Sequence, residues 1–220
     1  MTIVTIDTPD FAQICCMIVD VKEHWETIYK TKKPTEVSWT QEVPSASLAF
    51  IHQFKIPKNA KIIDIGGGDS NLVDFLLAEG YINLSVLDIS EAAIQRAQAR
   101  LGDAANKVTW IVCDILEFKP KEKYDVWHDR AAFHFQTEPA KIDTYLNIVK
   151  NAVDGMVIIG TFSTDGPTKC SGLEIQQYDE EGMKAKFIQS DFKNLECKRE
   201  NHVTPSGAVQ NFVFCSFMKG

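Results

Sequence analysis

A short strand that runs straight into glycines and then into a helix constrains this chain more than any other feature. Lys61-Ile-Ile-Asp-Ile65 is apolar and β-prone, Gly66-Gly67-Gly68 follows at once, and a helical pattern runs through Leu72, Phe75, Leu76 and Leu77 until Gly80. Such a unit continues as a right-handed crossover to a neighbouring parallel strand. The chain then repeats the alternation. Residues 84–88 read as a second strand, and Ser90 as the N-cap of a helix reaching about Leu101. Residues 108–112 and 124–128 read as strands, 139–149 as a helix and 155–162 as a fifth strand. This order predicts an α/β fold whose parallel sheet is covered on both faces.

Two β-rich segments, 195–203 and 209–218, close the chain around Thr204-Pro-Ser-Gly207. So short a connection makes a hairpin, so one of the two strands runs antiparallel to the rest. The second segment is apolar on both alternating faces (Val213, Cys215 and Phe217; Phe212, Phe214 and Met218), which places it inside the sheet. Upstream, apolar spacing over 10–30 fits one or two amphipathic helices. Residues 32–44 read as an irregular connection and 45–54 as a short helix.

Composition excludes several classes. At 220 residues the chain is one domain with a full core. Thirty acidic against 23 basic residues argue against gripping nucleic acid through phosphates. No apolar run approaches a membrane span, and the start lacks a basic flank before its apolar stretch, so a cytoplasmic protein is expected. Six cysteines without a CxxC pair predict free, mostly buried thiols in a reducing compartment and no zinc site. His128 and His134 are poorly spaced for a metal pair, and the Lys30, Lys32 and Lys33 cluster reads as a solvated face.

The glycine loop can bring a ligand close to the backbone. Asp88, 22 residues beyond Gly66, ends the second strand where a carboxylate can accept both ribose hydroxyls. Asp114 ends the third strand and adds an acceptor at the same crevice. A dinucleotide fingerprint needs a glycine where Asn71 stands, and Asp64 and Asp69 repel a pyrophosphate. Carboxylates suit a cationic ligand bearing an ammonium, and S-adenosyl-L-methionine has both charges.

Ile62-Ile63-Asp64-Ile65-Gly66-Gly67-Gly68 resembles the first motif of class I S-adenosylmethionine-dependent methyltransferases. Leu87-Asp88-Ile89-Ser90 resembles their ribose-binding motif, and Cys113-Asp114-Ile115 their adenine-contacting motif; the family's final loop glycine is Ser70 here. The resemblance implies a Rossmann-like three-layer sandwich with a seven-stranded, mostly parallel sheet and an antiparallel C-terminal hairpin. His24-Trp25-Glu26, Tyr29 and Val37-Ser-Trp39 are similar to the leader of a branch holding uncharacterised bacterial methyltransferases and elongation factor 1A lysine methyltransferases. By that resemblance residues 1–55 form a helical leader, with Trp25, Tyr29 and Trp39 as a cofactor lid, and residues 56–220 the cofactor-binding domain.

Methyl transfer from a sulfonium is a direct displacement that needs alignment, exclusion of water, and a base where the acceptor is protonated. The reactive face is expected after the fourth strand. Asp129-Arg130-Ala131 stands where the lysine-methylating relatives carry an acidic residue and Lys-Gly-Thr, so a lysine acceptor is not inherited. Asp129 and His134 are the candidate catalytic residues. Arg130 is expected to hold the methionine carboxylate or Asp129. The loop 165–172, including Cys170, is expected to wall the acceptor. Partners are a small-molecule or protein methyl acceptor, with no nucleic acid and no membrane. A non-catalytic nucleoside-binding module is the alternative, and an NAD oxidoreductase is disfavoured.

Overall fold

The computed structural model describes residues 20–220. Nine strands form among the described residues: β1 Lys61–Ile65, β2 Asn83–Asp88, β3 Val108–Val112, β4 Tyr124–Arg130, β5 Val153–Phe162, β6 Lys169–Cys170, β7 Leu173–Glu174, β8 Phe192–Val203 and β9 Val209–Lys219. The helices are α1 Val21–Thr31, α2 Ser45–Gln53, α3 Leu72–Ala78, α4 Glu91–Leu101, α5 Pro139–Ala152 and α6 Glu180–Ile188. Seven strands make one sheet in the order β3-β2-β1-β4-β5-β9-β8. β1 to β5 pair in parallel, and β9 runs antiparallel between β5 and β8.

The strand alternation builds two cores. Ile63, Trp127, Val157, Ile159 and Phe217 pack one face against Tyr145 and Val149 of α5 and Met183 and Phe187 of α6. Ile62, Val126, Ile158 and Phe214 pack the other against Ile51 of α2 and Leu72 and Leu76 of α3. A strand buried on both sides belongs between two helical layers, so the molecule is the expected three-layer sandwich. β9 carries apolar residues on both faces and takes the interior position that this demands.

Ser90 caps α4 as expected, its hydroxyl accepting from Ala93 N at 3.2 Å. The leader helix starts at Val21, capped by Asp20; the expected helical stretch 10–19 lies outside the described residues. Two elements exceed the sequence reading: α6, and the β6–β7 hairpin within the loop after β5. The cysteine expectation is corrected at one pair. The β8–β9 register sets Cys197 directly opposite Cys215, with Cα atoms 4.1 Å apart, and the two form a disulfide. Cys113 and Cys170 are free; Cys15 and Cys16 lie outside the described residues.

Candidate active site

Residues at the carboxyl ends of β1 to β4 open onto a cavity of about 370 Å³, covered by α1 and the segment before α2. Open parallel sheets bind ligands at this edge. Gly66, at φ +65°, turns the chain off β1; a Cβ there would meet the Ala132 Cβ at 2.9 Å. The Gly66 and Gly67 N–H groups donate to the Leu87 carbonyl, 2.8 and 3.3 Å away, which folds the loop back over β2. A Cβ on Gly67 would overlap the Asp64 carboxylate. Gly67, rather than the expected Gly68, borders the cavity beside Gly66. Gly68 acts behind it, donating its N–H to Asp88 Oδ2 at 3.0 Å.

Asp88, Ile89, Asp114 and Ile115 all line the cavity. The Asp88 carboxylate also accepts from Ser90 N at 2.8 Å. Burial pushes it up to about 6 despite these two donors, leaving an acceptor ready for hydroxyl groups. Asp114 is held by Leu116 N at 2.9 Å. Asp69 does not add free negative charge to the loop, because Arg100 Nη1 meets it at 2.8 Å and Arg96 at 3.5 Å.

At the β1–β4 side three buried polar groups form a chain that the sequence reading did not find. His128 Nδ1 lies 2.6 Å from Asp64 Oδ1, and His128 Nε2 lies 2.8 Å from Ser47 Oγ. Asp64 Oδ2 has no partner. Nearby, Arg130 donates from Nη1 to the Trp39 carbonyl at 3.0 Å and stacks over Phe212. Its Nε and Nη2 are buried and unpartnered, and burial lowers it to about 10. An unpaired buried acceptor and an unpaired guanidinium edge on one cavity are costly unless something fills them.

The three aromatic residues of the leader come together beside the cavity. Trp25, Tyr29 and Trp39 all border the cavity, with Trp25 edge-on to Trp39 at 5.6 Å and to Phe135 at 5.2 Å. Glu26 fastens α1 to the domain by accepting from Ser90 Oγ at 2.8 Å and Ala92 N at 3.1 Å. A carboxylate there also complements the positive end of α4.

Neither residue expected to be catalytic lines the cavity. Asp129 is fully buried and does not border the cavity. It accepts from Ala132 N, Phe133 N and the Tyr145 hydroxyl, so it pins the turn after β4. His134 is fully buried as well, its ring against Phe135 and Phe162. Burial, reinforced by Arg130, pushes it down to about 3, and it lies outside the cavity wall. Of the loop 165–172 only Cys170 lines the cavity, joined by Leu173 and Glu174 just beyond it. Burial pushes the Cys170 thiol up to about 12, so it is not a thiolate near neutral pH.

The sheet order and the cavity at its carboxyl edge have the form of the Rossmann-like methyltransferase fold. Residues 62–154 match the model of a methyltransferase domain. A malonyl-[acyl-carrier protein] O-methyltransferase of Anoxybacillus flavithermus is 32% identical over 126 residues, covering 54% of this chain and 47% of that protein. Human EEF1A lysine methyltransferase 2 is 28% identical over 82 residues, 34% of this chain and 35% of that protein. The chain thus spans about half or less of the length of these curated relatives. A SAM-dependent methyltransferase from Anabaena variabilis superposes over 100% of both chains with a TM-score of 0.70 at 15% identity. A Burkholderia thailandensis N1-methyltransferase, solved with 1,6-didemethyltoxoflavin and S-adenosylhomocysteine, superposes at 0.68 with 18% identity, covering 90% of this chain and 86% of that one. At these identities the superpositions show the shared fold.

Proposed function

We propose that this protein transfers a methyl group from S-adenosylmethionine to a small-molecule or protein acceptor by direct displacement. One observation carries the reading: a single cavity offers an unpartnered carboxylate oxygen on Asp64, an unpartnered guanidinium edge on Arg130 and the Asp88 carboxylate. These complement, in turn, the ammonium, the carboxylate and the ribose hydroxyls of the cofactor. Ile89 and Ile115 supply apolar walls for an adenine ring, and the aromatic lid covers the ligand. When bound, the cofactor supplies an activated methyl group on a sulfonium. The protein's residues then hold the reacting groups in line, which can be worth on the order of 7–11 kcal/mol. Trp25, Trp39 and Phe135 keep water out.

Asp129 and His134 are sealed behind the wall, so neither receives the acceptor's proton. Lys141, Cys170, Leu173 and Glu174 also line the cavity, and on this reading they select the acceptor. The malonyl-carrier, lysine and toxoflavin-precursor acceptors of the proteins compared above belong to those proteins, and none is carried to this chain. The test is transfer of a radiolabelled methyl group into fractionated lysate. Label in a protein or small-molecule fraction that disappears with Asp88→Ala supports the reading. A protein that binds the cofactor yet labels no fraction is a binding module instead.

A further inference from the structure

Ser47, His128 and Asp64 come from α2, β4 and β1, and none of the three is more than 5% exposed. Their order is that of a proton-carrying chain: hydroxyl, imidazole, carboxylate. With the ring neutral, Ser47 donates to Nε2 and Nδ1–H donates to Asp64. With the ring charged, Nε2–H donates to Ser47 Oγ, and only the hydroxyl proton has to turn. Both protonation states therefore fit the same heavy-atom positions, and histidine is the side chain whose charge changes between pH 5 and 8.

The asymmetry of Asp64 says what could switch the chain. Oδ1 faces His128, while Oδ2 is buried and unpartnered. We propose that His128 and Ser47 position Asp64 as the receptor for the cofactor's ammonium group, and that His128 releases a proton when the ammonium seats on Oδ2. The inference rests on the cofactor reading above. A lone carboxylate favours a charged imidazole at its side; an ammonium on its other oxygen makes that charge surplus. The released proton passes from Nε2 to solvent, and Ser47 turns its hydroxyl to donate.

Asp129 of β4 faces His128, Asp88 of β2 and Arg130 of β4 face Asp64, and Cys170 of β6 and Glu200 of β8 face Arg130. Arg130 receives the ligand carboxylate, so it remains charged throughout. Cys170 stays a neutral thiol. Glu200 faces the chain across Arg130. Asp88 touches the nucleoside end, so any proton it exchanges is shared by ligands lacking the amino-acid end.

That difference sets the experiment. S-adenosylhomocysteine and 5′-methylthioadenosine share nucleoside and thioether, and only the first carries the ammonium and carboxylate. Each is titrated calorimetrically into the full chain between pH 6 and 8, in two buffers of different ionisation enthalpy. Proton release with S-adenosylhomocysteine in excess of that with 5′-methylthioadenosine, growing toward pH 6, is the expected result. His128→Gln should abolish the excess and bind S-adenosylhomocysteine roughly ten-fold more weakly, the scale of one hydrogen bond to a charged group. Ser47→Ala, a milder change, should shrink the excess, because it strands the imidazolium Nε2–H. Equal proton counts for the two ligands, or an excess unchanged in both variants, overturn the proposal and leave the cofactor reading standing. Failure of both nucleosides to bind overturns the cofactor reading itself.

Discussion

Replacing His134 with leucine should change the slope of the protein's stability against pH. The ring is fully buried, its Nδ1 accepts one long hydrogen bond from Phe162 N at 3.4 Å, and Nε2 has no partner. Burial and the Arg130 charge hold it near 3, against about 6.5 in the unfolded chain. The folded value lies below the unfolded one, so the neutral ring's contribution is complete above pH 6.5. It is lost as pH falls toward 3, because the unfolded chain then binds the extra proton. The slope approaches about 1.4 kcal/mol per pH unit, which accumulates to about 2 kcal/mol by pH 5. Asp88 and Asp129, both raised by burial to about 6, act in the opposite direction. The folded state protonates them first, so stability rises as pH drops through 6 toward 4, and the wild-type curve alone hides the histidine. Urea unfolding of both proteins at pH 8, 7, 6 and 5 removes that background by difference. Leucine carries a constant cost from the stranded Phe162 N–H, but its stability relative to wild type should improve by about 2 kcal/mol between pH 8 and 5. Parallel curves would refute the burial argument and return His134 to the list of accessible bases.

Arg130→Ala should weaken S-adenosylhomocysteine by roughly 1.5–3 kcal/mol, the range for hydrogen bonds to a charged group, and leave 5′-methylthioadenosine unchanged in the same calorimeter. Equal losses for the two would mean that the arginine only supports Trp39 and Phe212. Trp25→Ala should weaken both ligands, since an aromatic face covering roughly 80 Å² at about 25 cal/mol per Å² contributes about 2 kcal/mol. Unchanged affinity would show that the leader only packs.

The elements that could be read from the sequence are those fixed by local geometry. The turn after β1 needs glycine, the ends of β2 and β3 carry Asp88 and Asp114, and β9 is apolar on both faces. None of this depends on a distant residue. The Ser47–His128 contact joins positions 81 apart in sequence, and no local pattern announces it. The burial of Asp129 and His134 is not legible, because sequence spacing carries no information on burial. The segment after β4 forms a single 3-10 turn, Phe133–Phe135, and sends the imidazole into the core beside Phe162 rather than toward the cavity. The disulfide is a different case. With the turn at 204–207, Val203 faces Val209 and therefore Cys197 faces Cys215, so the register was present in the sequence. The spacing of the six cysteines along the chain, with no CxxC pair, does not reveal the disulfide. α6 gave too little signal, with two buried residues, Met183 and Phe187, over nine positions.

Calorimetric titration of S-adenosylhomocysteine and of NAD into wild type and Asp88→Ala tests the central claim most directly. Wild type should bind S-adenosylhomocysteine with micromolar affinity and NAD not at all, and the variant should lose roughly 1.5–3 kcal/mol. NAD binding as tightly as S-adenosylhomocysteine, or an Asp88→Ala protein with wild-type affinity, would contradict it.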